Sequence, residues 1–104
     1  MGYPKEKRRP THDLAVIQAI VADPTSRPFT KTALVGGRDM GLKERDMRDV
    51  VLALSRRDFY KSVPFHYNHQ WWQDVYHGRT LDGRTVYIKV TLDMDRVVIQ
   101  FKAR

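Results

Sequence analysis

Val86 to Lys102 reads VYIKVTLDMDRVVIQFK, and the pairing register of this stretch decides the fold. Apolar and polar residues alternate on both sides of Met94-Asp95, the period-two pattern of two half-buried strands, Arg84 to Leu92 and Arg96 to Lys102. Because successive side chains point to opposite faces, a one-residue slip would turn the apolar set toward solvent. An even loop, such as Met94-Asp95, sets Ile88 opposite Phe101, Val90 opposite Ile99 and Leu92 opposite Val97, giving a core side that is wholly apolar. The same choice places Tyr87 across from Lys102 and Lys89 across from Gln100 on the other side. An odd loop mixes the two sets and is rejected.

Working back toward the N-terminus, Phe59 to Phe65 and Gln70 to His77 are aromatic, β-prone runs divided by the turn-like Tyr67-Asn68-His69, and Gly78 to Gly83 makes a longer connection. Before them the apolar period becomes helical. Thr11 is the expected N-cap of a helix through Leu14, Ile17, Ile20 and Val21, with Asp13 in its first turn and Asp23-Pro24 as its end. Thr30 caps a short second helix through Ala33 and Leu34, with Gly36-Gly37 as its stop. A third helix carries Met47, Val50, Val51 and Leu54 on one stripe, with Lys43, Glu44, Arg45, Asp46, Arg48 and Asp49 largely outside and Arg56 and Arg57 at its C-terminal end. Helices followed by strands predict an α+β domain, its N-terminal helices packed on one face of a C-terminal antiparallel β-sheet. That single domain is expected over residues 11–104, behind a basic, flexible lead at residues 1–10.

At 104 residues the chain has room for one core, and 41% hydrophobic content is ordinary for a folded protein. It contains no cysteine, which removes disulfides and thiolate metal sites and suits a reducing compartment. No apolar run is long enough for a secretory signal or a membrane span, so a soluble, cytoplasmic protein with no membrane partner is expected. Nineteen basic against twelve acidic residues give a formal charge of +7 and a pI near 10.0. That balance favours a polyanionic partner through long-range attraction and counterion release.

Within these strands, Asp58-Phe59-Tyr60-Lys61-Ser62, Trp72-Gln73-Asp74-Val75-Tyr76, Val86-Tyr87-Ile88-Lys89 and Phe101-Lys102 place amide, phenol and ammonium groups in otherwise apolar sequence. In this order and spacing they resemble the MqsR family of bacterial toxins, small ribonucleases of toxin–antitoxin pairs grouped with the RelE-like toxins. The likeness runs from about Lys7 to the C-terminus. It implies a type II toxin acting as a metal-independent, sequence-selective endoribonuclease (mRNA interferase) that needs no cofactor and cuts messenger RNA near GCU-type triplets. It also implies a cognate MqsA-like antitoxin with a zinc-binding domain that binds DNA as well. In that family the positions matching Tyr60, Lys61, Gln73, Tyr87 and Lys102 are those implicated in activity. The departures are Met1 to Glu6, the Pro24–Pro28 loop, the doubled tryptophan and the His77–Gly83 connection.

The residue types suit that chemistry on their own terms. Cleaving RNA from within uses the neighbouring 2′-hydroxyl as nucleophile, so the protein must help remove its proton, protonate the departing 5′-oxygen and neutralise the phosphorane. Lys61 and Lys102 supply positive charge, and burial or mutual repulsion would lower the pKa of one of them toward a useful range. Tyr87 is a hydrogen-bond or proton donor, Gln73 an orienting amide, and Tyr60 a stacking surface. With the resemblance to that family, Lys61, Gln73, Tyr87 and Lys102 are the catalytic candidates, with Tyr60, His77, Arg79, Arg84 and Lys89 as RNA contacts. A lysine on a strand is ordinarily just a solvated residue, and a tyrosine a core-rim aromatic with a hydrogen-bonded hydroxyl. Of Trp71 and Trp72, which alternate faces in a strand, Trp72 is assigned to the core.

Two alternatives stand beside this reading. His66, His69 and His77 offer a histidine-based acid–base mechanism, with His77 the best placed because it shares a strand face with Gln73; a zinc site from the same residues lacks recognised ligand spacing. The other alternative is a non-catalytic basic RNA- or DNA-binding regulatory module. A binder needs charge and stacking but has no use for a tyrosine, a glutamine and two lysines on one face.

Overall fold

The computed structural model describes residues 6–65 and 71–104. Within the described residues three α-helices, α1 (Leu14–Ala22), α2 (Lys31–Asp39) and α3 (Glu44–Leu52), precede four antiparallel strands, β1 (Phe59–Pro64), β2 (Trp72–Arg79), β3 (Thr85–Asp93) and β4 (Arg96–Ala103). Spatial order in the sheet follows chain order, so each strand pairs with its sequence neighbours, and the α+β class read from the sequence is the one observed. The β3–β4 hairpin turns at Met94-Asp95, with Met94 at φ 57, and pairs Ile88 with Phe101, Val90 with Ile99, Leu92 with Val97 and Tyr87 with Lys102. That is the register an all-apolar core side demands.

The helices bury that side. Ile17 and Val21 of α1, Ala33 of α2, and Met47, Val50 and Val51 of α3 meet Tyr76, Ile88, Val90, Ile99 and Phe101 of the sheet. Helix α2 lies close along β4. A Cβ on Gly36 would sit 2.6 Å from the Phe101 carbonyl oxygen, and one on Gly37 would run into the Met47 sulfur. These glycines are therefore contact points inside a helix that continues to Asp39, not the stop expected at Gly36-Gly37. The chain leaves α2 at Met40 and Gly41, whose φ of +76 favours glycine.

Three other expectations are corrected. Asp13, not Thr11, caps α1, its carboxylate accepting from the Ala15 amide at 2.9 Å. Thr11 is engaged elsewhere: its N–H donates to both oxygens of Asp74 at 2.9 and 3.0 Å, and its hydroxyl meets that of Ser62 at 2.7 Å. The His12 N–H adds a third bond to Asp74 at 2.8 Å, so this wholly buried carboxylate rivets the start of α1 beneath β1 and β2. Arg48, expected outside, turns in and donates to the Val21 and Asp23 carbonyls, holding the α1–α2 loop. Arg56 and Arg57 belong to a separate 3₁₀ turn beyond the end of α3.

Both outer strands meet chain from elsewhere. Lys7 exchanges backbone hydrogen bonds with Ser62 on β1 at 2.8 and 2.9 Å, so residues on either side of the expected boundary at residue 10 lie against the sheet. On β4, Ile99 bonds to Pro28 and Thr30 at 2.7 and 3.1 Å. Trp72 is half-buried with the Lys7 ammonium 4.1 Å from its ring, and Trp71 is exposed. The expected turn at Tyr67-Asn68-His69 falls outside the described residues.

Candidate active site

The sheet face away from α1 and α3 carries the polar candidates, and strand register arranges them in rows. On β3, Tyr87, Lys89 and Thr91 alternate with the buried Val86, Ile88 and Val90; on β4, Lys102, Gln100 and Val98 alternate with Phe101, Ile99 and Val97. On β2, Gln73, Val75 and His77 share the face, since His77 pairs with Tyr87 and Val75 with Lys89. Strict alternation would split Tyr60 and Lys61 between faces. A register shift between Phe59 and Lys61 breaks it, and this bulge brings both side chains to the same side.

One row crosses the sheet. The Tyr60 and His77 rings stack at 4.6 Å, His77 and Tyr87 follow at 5.5 Å, and the Lys102 ammonium lies 5.9 Å from the Tyr87 ring. Lys89 approaches the same ring to 5.9 Å, and Lys61 lies 5.1 Å from the ring of Tyr60. Tyr60, His77, Tyr87, Lys102, Lys61 and Lys89 thus form one patch of aromatic surface and positive charge. Helix α2 forms its side wall: Thr32, Gly36 and Asp39 bound a cleft of about 310 Å³ together with Tyr87, Lys89, Gln100 and Lys102.

The remaining candidates are placed differently. Gln73 shares the face, but four residues along β2 separate it from His77, about 13 Å at the usual strand rise. It neighbours Val63 rather than Tyr87. Arg79, at the end of β2, borders a smaller cleft with Tyr60, His77 and Arg104. Arg84 is turned away, bonded to the Asp82 carboxylate at 3.0 Å and to the Met40 carbonyl at 2.9 Å. His66 and His69 lie outside the described residues. Among the described residues no three His, Asp or Glu side chains are grouped to hold a metal ion.

Two protonation preferences shape the patch. A hydrogen bond from Lys61 to Glu6 at 3.0 Å holds its ammonium above the ordinary lysine range, so Lys61 is not the one of the two lysines expected to be lowered. Lys61 is thereby a fixed cation suited to charge neutralisation rather than to proton abstraction. Burial, with the Arg104 charge, pushes His77 below the ordinary histidine value, and its Nε2 is covered with no hydrogen-bond partner among the described residues. Tyr76, by contrast, is a core residue whose phenol burial pushes up to about 12. Glu6 and the α2 wall were not anticipated; the first lies outside any motif, and the second depends on how closely Gly36 lets a helix approach.

A helix-backed sheet with a basic, aromatic open face accords with the toxin class to which the chain belongs: residues 9–103 match the family described as motility quorum-sensing regulator, toxin of MqsA. The mRNA interferase toxin MqsR of Escherichia coli (strain K12) is 36% identical to it over 99 residues, covering 95% of this chain and 99% of that protein.

Proposed function

We propose that this protein is an endoribonuclease toxin that cleaves messenger RNA on the open sheet face without a metal ion, and that a cognate MqsA-like antitoxin restrains it. The carrying observation is the cross-strand row from Tyr60 through His77 and Tyr87 to Lys102. A phosphodiester laid over Tyr87 meets the ammonium groups of Lys102 and Lys89, with the Glu6-held Lys61 two strands away on β1. The substrate's 2′-oxygen attacks phosphorus as its proton is removed. The 5′-oxygen then departs with a proton, leaving a 2′,3′-cyclic phosphate and a 5′-hydroxyl. Tyr87 and Lys102 carry these proton transfers, the lysines stabilise the phosphorane, and Tyr60 stacks on a base. Gln73, farther along the face, holds the ribose or phosphate of a neighbouring nucleotide. Selectivity for GCU-type triplets rests on the likeness to the family alone.

The test is incubation of pure protein with a defined transcript in EDTA, followed by mapping of the ends. Cyclic phosphate and 5′-hydroxyl termini are expected at a limited set of sites. Cleavage that disappears with chelator and returns with magnesium or zinc would refute the metal-free reading. RNA bound but never cut would favour the non-catalytic alternative.

A further inference from the structure

Past the catalytic row the open face ends in a notch of about 340 Å³, where β2 stops at Trp72 while β3 and β4 run on. Trp71, 57% exposed, forms its wall with Phe65, the two rings meeting edge to face at 6.0 Å. Thr91 and Val98, paired across β3 and β4, contribute to its lining, as do Asp93 and Arg96, the pair next to the hairpin turn. An exposed indole beside an apolar recess is the kind of surface enriched at interaction sites. An aromatic wall, a carboxylate able to accept from an exocyclic amino group and a guanidinium able to hold phosphate form the set by which proteins hold an unpaired base.

Position joins the notch to the row. Tyr87, Lys89 and Thr91 descend one strand, and Lys102, Gln100 and Val98 descend its partner. Four residues of β3, about 13 Å, separate the row from the notch. Lys89 stands between them, so positive charge lines the path that an RNA backbone would follow. The chain is basic overall, at +7, as this occupant requires.

We infer that this notch is a specificity subsite for one unpaired nucleobase of the RNA, stacked on Trp71 and read at its amino edge by Asp93. The assignment rests on the nuclease reading above, and its test separates the two. Binding is measured with an oligonucleotide that reaches the notch and carries 2′-O-methyl groups, so that it cannot be cut. Cleavage is measured as kcat/KM on the unblocked oligonucleotide and on a dinucleotide too short to reach it.

Trp71→Ala should weaken oligonucleotide binding roughly tenfold. Its loss of kcat/KM on the oligonucleotide should exceed its loss on the dinucleotide by a similar factor. Asp93→Asn should relax discrimination between uracil, which lacks an amino group, and the other bases at one position near the cut. Trp71→Leu, which keeps bulk but not stacking, should behave like the alanine variant, whereas Trp71→Phe should recover most of the loss. Equal losses on both substrates, or binding indifferent to Trp71 because a protein partner is the true occupant, would overturn the subsite. A parent that binds through Trp71 but cuts neither substrate would leave the subsite standing and remove the nuclease.

Discussion

Phe101 and Lys102 are chain neighbours on opposite faces of β4, so replacing each in turn separates fold from chemistry. Phe101 is 2% exposed and meets Phe29 edge to face at 6.2 Å. Phe101→Ala removes most of a buried ring and should cost roughly 3–5 kcal/mol. For a domain of this size each kilocalorie is worth about 4–8 °C, so the melting temperature should fall by at least ~12 °C. Lys102 is exposed and its pair Tyr87 half-buried. Lys102→Ala and Tyr87→Phe remove no core volume and should change stability by no more than about 0.5 kcal/mol. Cleavage should nevertheless fall by ~10²-fold or more, the usual loss when an acid–base or charge-stabilising group is removed. Melting by circular dichroism and single-turnover cleavage, both on the purified variants, give the comparison. If Lys102→Ala melts early and cuts RNA at the parental rate per folded molecule, the residue is structural and the face assignment fails.

Asp74→Ala removes the acceptor of the part-buried amides of Thr11 and His12, at about 0.5–1.5 kcal/mol each because water can reach them; urea denaturation should show a loss of roughly 1–3 kcal/mol, and a change under about 0.5 kcal/mol would mean that the rivet contributes little. Gly36→Ala gains about 1 kcal/mol of helix propensity but drives a methyl group against the Phe101 carbonyl. A net loss of about 1–3 kcal/mol is expected, with impaired cleavage because α2 walls the site; a stabilised variant would show that the helix yields freely. His77 has a folded-state pKa below its unfolded value of about 6.5, so acid drives protons onto the unfolded chain preferentially. Its contribution to stability is full above about 6.5 and is lost as pH falls through the lower folded value. The parent should therefore lose more melting temperature than His77→Phe between about pH 7.5 and 5, and parallel curves would contradict this.

The hairpin was legible because its two faces differ so sharply that one register alone separates them. The positions of Tyr87, Lys89 and Lys102 followed from that register without reference to any relative. Other features required partners distant in sequence. Nothing local to Asp74 indicates that amides some sixty residues earlier will enclose it. Gly36-Gly37 reads as a helix end because glycine commonly ends helices, yet the same small size also permits close helix–strand contact, and packing decides between the two. Gln73 was grouped with Tyr87 by likeness to relatives, but strand geometry puts about 13 Å between it and His77, the residue paired with Tyr87. The open face is consequently an extended track rather than a single point.

The bulge at Tyr60 acts on β1 as a frameshift acts on a message. Upstream of it the strand is phased to bury Phe59 against Tyr76; downstream, the phase is set for Lys61 to share a face with the residues opposite it. A length change at this point, more than any exchange of residue type, would put the strand out of phase. Deleting Tyr60 should leave the helices and the β3–β4 hairpin paired as before while parting Lys61 from the row across the sheet. Lineages that tolerate substitution on this strand should thus be intolerant of single-residue gaps in it.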